Sequence, residues 1–267
     1  MNCENAKIRD ISEVKNLSYA DKWILSKLNS AVVAVTRFMD KYEVGLAASR
    51  IYEFIWNQFC DWYIEFSKTA LYSDDDEKRS NAASVLVYVL RETLKLAHPI
   101  VPFITEEIYD ALPNKDAEDI MISPFPEANP KHAYRADSAQ TDAVIELIKS
   151  VGNLRREMNV SQNKRTAVYI VPKEGKEKQL KKMAGYIEKL AFASGVYFGE
   201  PSGKNASLVT TLGNVFIPMG DLVDFDKERA RLKAEIEKTD EEIARARGKL
   251  ENKGFTEKAP AALVEKE

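Results

Sequence analysis

The stretch Tyr42–Lys68 reads YEVGLAASRIYEFIWNQFCDWYIEFSK. It holds no proline and one glycine, and it is dense in large apolar side chains. Val44, Ala48, Ile51, Ile55, Phe59, Trp62 and Phe66 recur at steps of three and four, the helix period. Tyr52, Trp56, Cys60 and Tyr63 form a second apolar stripe beside the first. A helix that is apolar around so much of its circumference is expected to lie inside a bundle, covered on most sides. One narrow face is left for water. At about 100° per residue, Arg50, Asn57, Asp61 and Lys68 align, with Glu53 close by. Ile64 falls in the middle of that polar stripe. Single exposed aliphatics are ordinary on surfaces; the alternative is an apolar contact set among polar groups, as on a recognition surface.

The flanking sequence extends the helical reading. Residues 1–17 form an irregular lead-in. Ser18-Tyr19-Ala20-Asp21 has capping-box spacing, with Asp in the place of Glu, and opens a helix to about Lys41. Ser73-Asp74-Asp75-Asp76 is a polar turn whose carboxylates suit the start of the next helix, about Lys78 to Ala97. Pro99 and Pro102 end that helix. Thr105 is expected to cap a short helix running to Leu112, with Glu106 and Glu107 complementing the dipole of its first turn rather than forming an acid/base pair. Residues 18–130 therefore read as a helical bundle with a Pro-rich surface segment at its end.

Two other textures follow. A helix from about Ser138 to Met158, a strand at Arg165–Val171, a helix at Gly175–Ala193, a strand at Ser194–Phe198 and a hairpin at Ser207–Met219 turning on Gly213-Asn214 make residues 131–221 a small α/β subdomain. Then Leu222, Phe225, Arg229, Leu232, Ile236, Thr239, Ile243, Ala246 and Leu250 follow steps of three and four, a coiled-coil seam. Such a helix needs a partner for its seam. A turn at Asn252-Lys253-Gly254-Phe255 and a helix start at Ala259-Pro260-Ala261 suggest a returning helix, so residues 222–267 read as a truncated coiled-coil arm. The fold class expected is mostly α: bundle, small α/β layer, arm.

The 267 residues carry a formal charge of −3 with a pI near 5.7, so no overall basic field points to nucleic acid, although a local patch remains open. Two cysteines and two histidines are too few for a disulfide framework or a thiolate metal site. No signal peptide or membrane span is read, and a reducing cytoplasm is the expected setting. A phosphate loop, a dinucleotide fingerprint and a nucleophile elbow are all missing from the sequence, so no catalytic residue is expected here. Arg245, Arg247, Lys249 and Lys253 stand against Glu251 near the arm tip, either a phosphate contact or a solvated face. Arg155, Arg156, Lys164 and Arg165 form a second basic group, open to phosphate or merely suited to a helix C-terminus.

Three segments carry a family resemblance. Asp21-Lys22-Trp23-Ile24-Leu25-Ser26-Lys27-Leu28 resembles the opening of the anticodon-binding bundle of class I aminoacyl-tRNA synthetases with aliphatic specificity. Phe59-Cys60-Asp61-Trp62-Tyr63-Ile64-Glu65 resembles their bundle helix. The run from His98 to Tyr109 (HPIVPFITEEIY) is similar to the segment that closes it. An α/β layer followed by a helical arm, with Gly254-Phe255 and Lys258-Ala259-Pro260 at its tip, is similar to the bacterial valyl branch of that family.

The resemblance implies a valine tRNA as partner and a monomer, with neither DNA nor a membrane as partner. It implies that ATP and Mg serve a catalytic domain lying upstream with the editing domain, no cofactor or metal being expected in this chain, which then resembles an excised C-terminal part. Ile64 matches an aliphatic position against the anticodon, with Asp61, Lys68, Asn57 and Arg50 on the same stripe. Arg245 matches a basic arm position facing the outer corner of the tRNA, with Arg247 and Lys249 beside it. The rival expectation is a non-catalytic helical and coiled-coil module that binds protein.

Overall fold

The structure is a computed structural model that describes residues 6–158, 160, 164–219 and 225–251; the side chains of residues 225–228, 230–232 and 249 also fall outside the description. Helix α1 is Tyr19–Asp40, and its capping box forms: the Ser18 hydroxyl accepts the Asp21 N–H, and the Asp21 carboxylate accepts the Ser18 N–H. Its buried side chains, among them Trp23, Leu28, Ala31, Val32 and Val35, follow the expected period.

The quoted stretch forms one helical run with a change of pitch in the middle. Helix α2 (Val44–Phe54) passes into a π segment (Ile55–Tyr63) and then into α3 (Ile64–Leu71). Up to Phe66 the buried side chains are Ala47, Ile51, Phe54, Phe59, Tyr63 and Phe66. Their steps are four, three, five, four and three, and the step of five falls where the hydrogen bonds run i→i+5. A strict α period mis-assigns the residues around that step. Val44 is 49% exposed, and Ile55 and Trp62 are only half-buried. On the buried side, Tyr63 donates its hydroxyl to the Asp21 carboxylate at 2.8 Å, and Trp23 meets Phe66 edge-on at 6.2 Å.

Asp75 caps helix α4 (Asp76–Ala97) by accepting the Glu77 and Lys78 N–H groups. The next helix, α5 (Pro102–Asp110), begins with proline in its first turn. Thr105 therefore is not its cap. It is buried inside the helix and returns its hydroxyl to the Val101 carbonyl at 2.9 Å. Glu106 accepts the Ile120 N–H rather than serving the first turn. The segment after α5 is held by an ion group in which Lys95 and Glu92 are buried: Lys95 lies 3.0 Å from Glu92 and 2.7 Å from Asp116, and Tyr109 donates to Asp116 at 2.7 Å.

Helix α6 (Arg135–Glu157) packs along α1, where Asp142 accepts from the Trp23 indole and from Lys27, both at 2.8 Å. Strand β1 (Thr166–Pro172), helix α7 (Glu177–Leu190) and strands β2 (Ala193–Phe198), β3 (Asn205–Val209) and β4 (Gly213–Pro218) form a mixed sheet of order β2-β1-β4-β3. β1 is parallel to β2 and antiparallel to β4, and β3 and β4 make the hairpin.

The hairpin turn lies at residues 210–212, before the expected Gly213-Asn214. There the Thr210 hydroxyl accepts the Leu212 and Gly213 N–H groups. Gly213 instead begins β4 at φ +156, and a Cβ there would sit 2.2 Å from the Val171 carbonyl oxygen, so the neighbouring strand requires glycine.

One contiguous apolar core joins α1, the α2–α3 run, α4, α6, α7 and the inner face of the sheet. Phe66 meets Tyr186 of α7 at 4.9 Å within it. Helix α8 (Phe225–Glu251) follows. Among the described residues the fold is mostly helical with one small mixed sheet, and no helix is long and apolar enough to cross a membrane.

Candidate nucleic-acid interface

The polar stripe is present but less uniform than its spacing implies. Asn57 and Asp61 are exposed. Arg50 is half-buried and bound to Glu53 at 3.2 Å, and half-exposed Lys68 is bound to Glu65 one turn back. Ile64 is half-buried and packs against the core, so it forms the rim of this face rather than its centre. The π turns cause the difference, because i→i+5 bonding advances each residue by a smaller angle than an α-helix does.

The second apolar stripe needs the larger correction. Tyr52 and Trp56, expected inside the bundle, are 64% and 55% exposed. Their rings stack on each other at 6.2 Å with only 4° between planes. They stand beside an open apolar cleft of about 490 Å³ between α2 and the end of α4, lined by Ala48, Ile51, Ile55, Ala97, Ile100 and Val101. Tyr52 and Trp56 are exposed, Cys60, Ile64 and Lys68 are half-buried, and steps of four lead from one to the next. In YEFIW, Phe54 and the Tyr52–Trp56 pair cannot all face one core, and that crowding was the available signal.

Titration is shaped mainly by burial. Burial pushes the Asp21 carboxyl up despite the bonds from Ser18 and Tyr63. Burial, reinforced by Asp61, pushes the Cys60 thiol up, away from a reactive thiolate. Among the described residues no group of three or more His, Cys, Asp or Glu side chains is placed to hold a metal ion.

In the arm, Arg245 and Arg247 are both exposed. Two residues apart on an α-helix, they face away from each other and do not form one cationic face. Lys249 lies one turn beyond Arg245, and its side chain is outside the described residues. Along the seam Ile236, Ile243 and Leu250 are 59%, 46% and 39% exposed. The turn at 252–255 and the returning helix fall outside the described residues, as do Lys253 and Leu222.

In the second basic group Arg155 is structural. It is buried and donates to the Thr166 hydroxyl at 2.9 Å and to the Lys164 carbonyl at 2.6 Å, tying α6 to β1. Arg156, Lys164 and Arg165 are exposed.

With this geometry in view, the family described as "Anticodon-binding domain of tRNA ligase" matches residues 21–170. The chain belongs to that family. Residues 224–267 match a second, "Valyl tRNA synthetase tRNA binding arm". Similar curated proteins are the "Valine--tRNA ligase" of Clostridium acetobutylicum at 40% identity, that of Listeria innocua at 39% and that of Bacillus subtilis at 36%. Each match covers 100% of this chain and 31% of the relative, so the chain spans about a third of the length of the curated relatives it matches.

Proposed function

We propose that this chain is the RNA-holding portion of a valine–tRNA ligase. It binds valine tRNA at the anticodon loop and the outer corner, in the cytoplasm and as a monomer. ATP- and Mg-dependent aminoacylation belongs to a nucleotide-binding catalytic domain elsewhere in such a protein. The observation that carries this reading is the order on one chain of an anticodon-binding bundle and a valyl-type tRNA-binding arm.

Physically, unpaired anticodon bases suit the outward face of the α2–α3 run, where Asn57 and Asp61 offer hydrogen bonds beside the aliphatic rim of Ile64. Exposed Arg245 on α8, with Arg247 and Lys249 near it, suits phosphates of a double-stranded corner. Arg50 and Lys68 are each paired with an acidic neighbour at the two ends of the stripe, so they serve as hydrogen-bond donors rather than as free positive charge.

The test is filter binding of valine tRNA to the ligase that carries this chain. Ile64→Asp is expected to reduce discrimination between the valine anticodon and a swapped one. Arg245→Glu is expected to weaken binding and to lower the salt slope by about one phosphate contact. Unchanged affinity and slope for Arg245→Glu would remove the arm contact, and equal loss on every tRNA for Ile64→Asp would mean damage to the fold. The open seam of α8 favours a second reading, a protein-binding helical module. It predicts no preference for tRNA over duplex DNA in a gel shift at moderate salt.

A further inference from the structure

Among the described residues the sheet is covered on one side only. Val168 and Ile170 of β1, Val215 and Ile217 of β4 and Leu208 of β3 turn into the core shared with α6 and α7. The alternate residues face the other way and do not join that core. Across this outer face the register aligns one row: Tyr197 opposite Tyr169, Tyr169 opposite Phe216, Phe216 opposite Ser207. The two tyrosine rings stack at 5.1 Å with 26° between planes, and Tyr197 is 49% exposed. Gly195 makes this possible. A Cβ there would meet the Tyr197 ring at 3.0–3.1 Å, so the ring lies down along its own strand instead of standing off the sheet.

We propose that this outer face is a second RNA-contacting surface, on which Tyr197, Tyr169 and Phe216 stack unpaired nucleobases of the RNA that the bundle holds. The proposal rests on the RNA-binding reading above and places the contact on a part of the chain that reading does not use.

Three observations select single-stranded RNA as occupant. The first is the row itself: ring faces at neighbouring positions on a four-stranded sheet fit successive stacked bases, a sequence-tolerant mode of binding. The second is chemistry. The outer-face positions carry no charged side chain, and exposed Ser207 and Asn214 offer donors and acceptors to base edges. The third is charge complementarity. β1, β2 and β3 all run in the same direction, so their starts share one end of the sheet. Exposed Lys164 and Arg165 precede β1, exposed Lys204 precedes β3, and exposed Arg156 lies at the end of α6 next to them. Exposed Glu157 beside Arg156 offsets only one of these charges, whereas at the opposite end exposed Lys173 and Lys176 offset Glu174 and Glu200, which lie beyond the ends of β1 and β2. A backbone of phosphates is therefore drawn to the end where the strands begin.

The test is fluorescence anisotropy with this chain and three labelled RNAs: an unstructured single strand of seven nucleotides, a blunt RNA duplex, and valine tRNA. Tyr169→Ser with Tyr197→Ser is expected to weaken the single strand by roughly 10- to 100-fold, at the scale of one or two lost base stacks. The double Phe variant keeps the rings and is expected to stay within about twofold of the parent. Arg156→Glu with Lys204→Glu, which touches no ring and no core, is expected to cost at least about fivefold and to flatten the salt dependence.

Single-strand binding unchanged in both the double Ser and the charge-reversed variants overturns the surface; the bundle reading then stands if Ile64→Asp still lowers tRNA discrimination. A double Ser variant that unfolds leaves the decision to the charge-reversed one. Equal loss in the Ser and Phe variants overturns stacking as the cause. A parent chain that binds none of the three RNAs overturns this proposal and the RNA-binding reading together.

Discussion

The α2–α3 run and helix α8 carry the same sequence signal, apolar residues at steps of three and four, and the structure treats them oppositely. Phe54, Tyr63 and Phe66 are each no more than 1% exposed, while Ile236 and Ile243 of α8 are 59% and 46% exposed. The period of a pattern reports that a helix forms and which side of it is apolar. What covers that side is decided by the surrounding chain. For α2–α3 the cover comes from α1, α4 and α7. For α8 the described residues supply none.

The sharpest way to break this contrast is Phe54→Ala. Phe54 occupies the residue just before the π segment, where a lost ring cannot be replaced by a one-residue slide of the helix. Truncating a buried phenylalanine costs about 3–5 kcal/mol, read as a fall in the urea midpoint. Two residues on, Trp56→Ala should cost less than about 1 kcal/mol, because its ring lies outside the core and makes mainly the Tyr52 stack. A large loss at Trp56 would show that the stacked pair is covered in solution.

Asp21 gives a smaller effect whose sign is fixed. Burial raises its carboxyl above the ordinary 3.8, so the folded state holds the proton more tightly than the unfolded chain. The stability from this group is full below about pH 3.8 and is lost as pH rises through the raised folded value. Asp21→Asn cannot ionise; its single amide oxygen can still accept the Ser18 N–H, while its NH2 can donate to the Tyr63 hydroxyl oxygen. The parent should therefore lose stability relative to Asp21→Asn as pH rises from about 3.8 through the raised folded value, read in matched urea titrations. A gap between the two proteins that stays constant with pH would mean that Asp21 keeps its ordinary titration in the fold.

These same residues mark how far the sequence could be read. The capping box at Ser18–Asp21 and the Asp75 cap are local chemistry, set by side chains within three residues, and both form. The strands and the crossover helix were legible because β-branched runs alternate with an amphipathic stretch. The π segment was not legible, because its mark is one step of five inside an otherwise regular pattern. It moved Ile64 to the rim, while crowding beside Phe54 left Tyr52 and Trp56 outside. Thr105 misled for a different reason: a proline in the first turn opened α5 four residues earlier and made that threonine internal. The aromatic row on the sheet depends on strand register between β1, β2 and β4, a long-range quantity that no local window contains.

The smallest predicted effect bears most directly on α8. Ile236→Ala with Ile243→Ala removes two seam side chains that the described residues leave open. With no partner buried against them, the loss should be within about 0.5 kcal/mol per site, the range of ordinary surface changes. The bundle's unfolding midpoint should not move at all, since neither isoleucine is part of its core. If the double variant instead costs several kcal/mol in the helical signal, each isoleucine must be giving up the burial of a core aliphatic. That outcome would mean a second helix lies along the seam, whether from the returning segment or from another molecule, and dilution separates the two. A loss that grows on dilution requires another molecule, whereas a concentration-independent loss places the cover within the same chain.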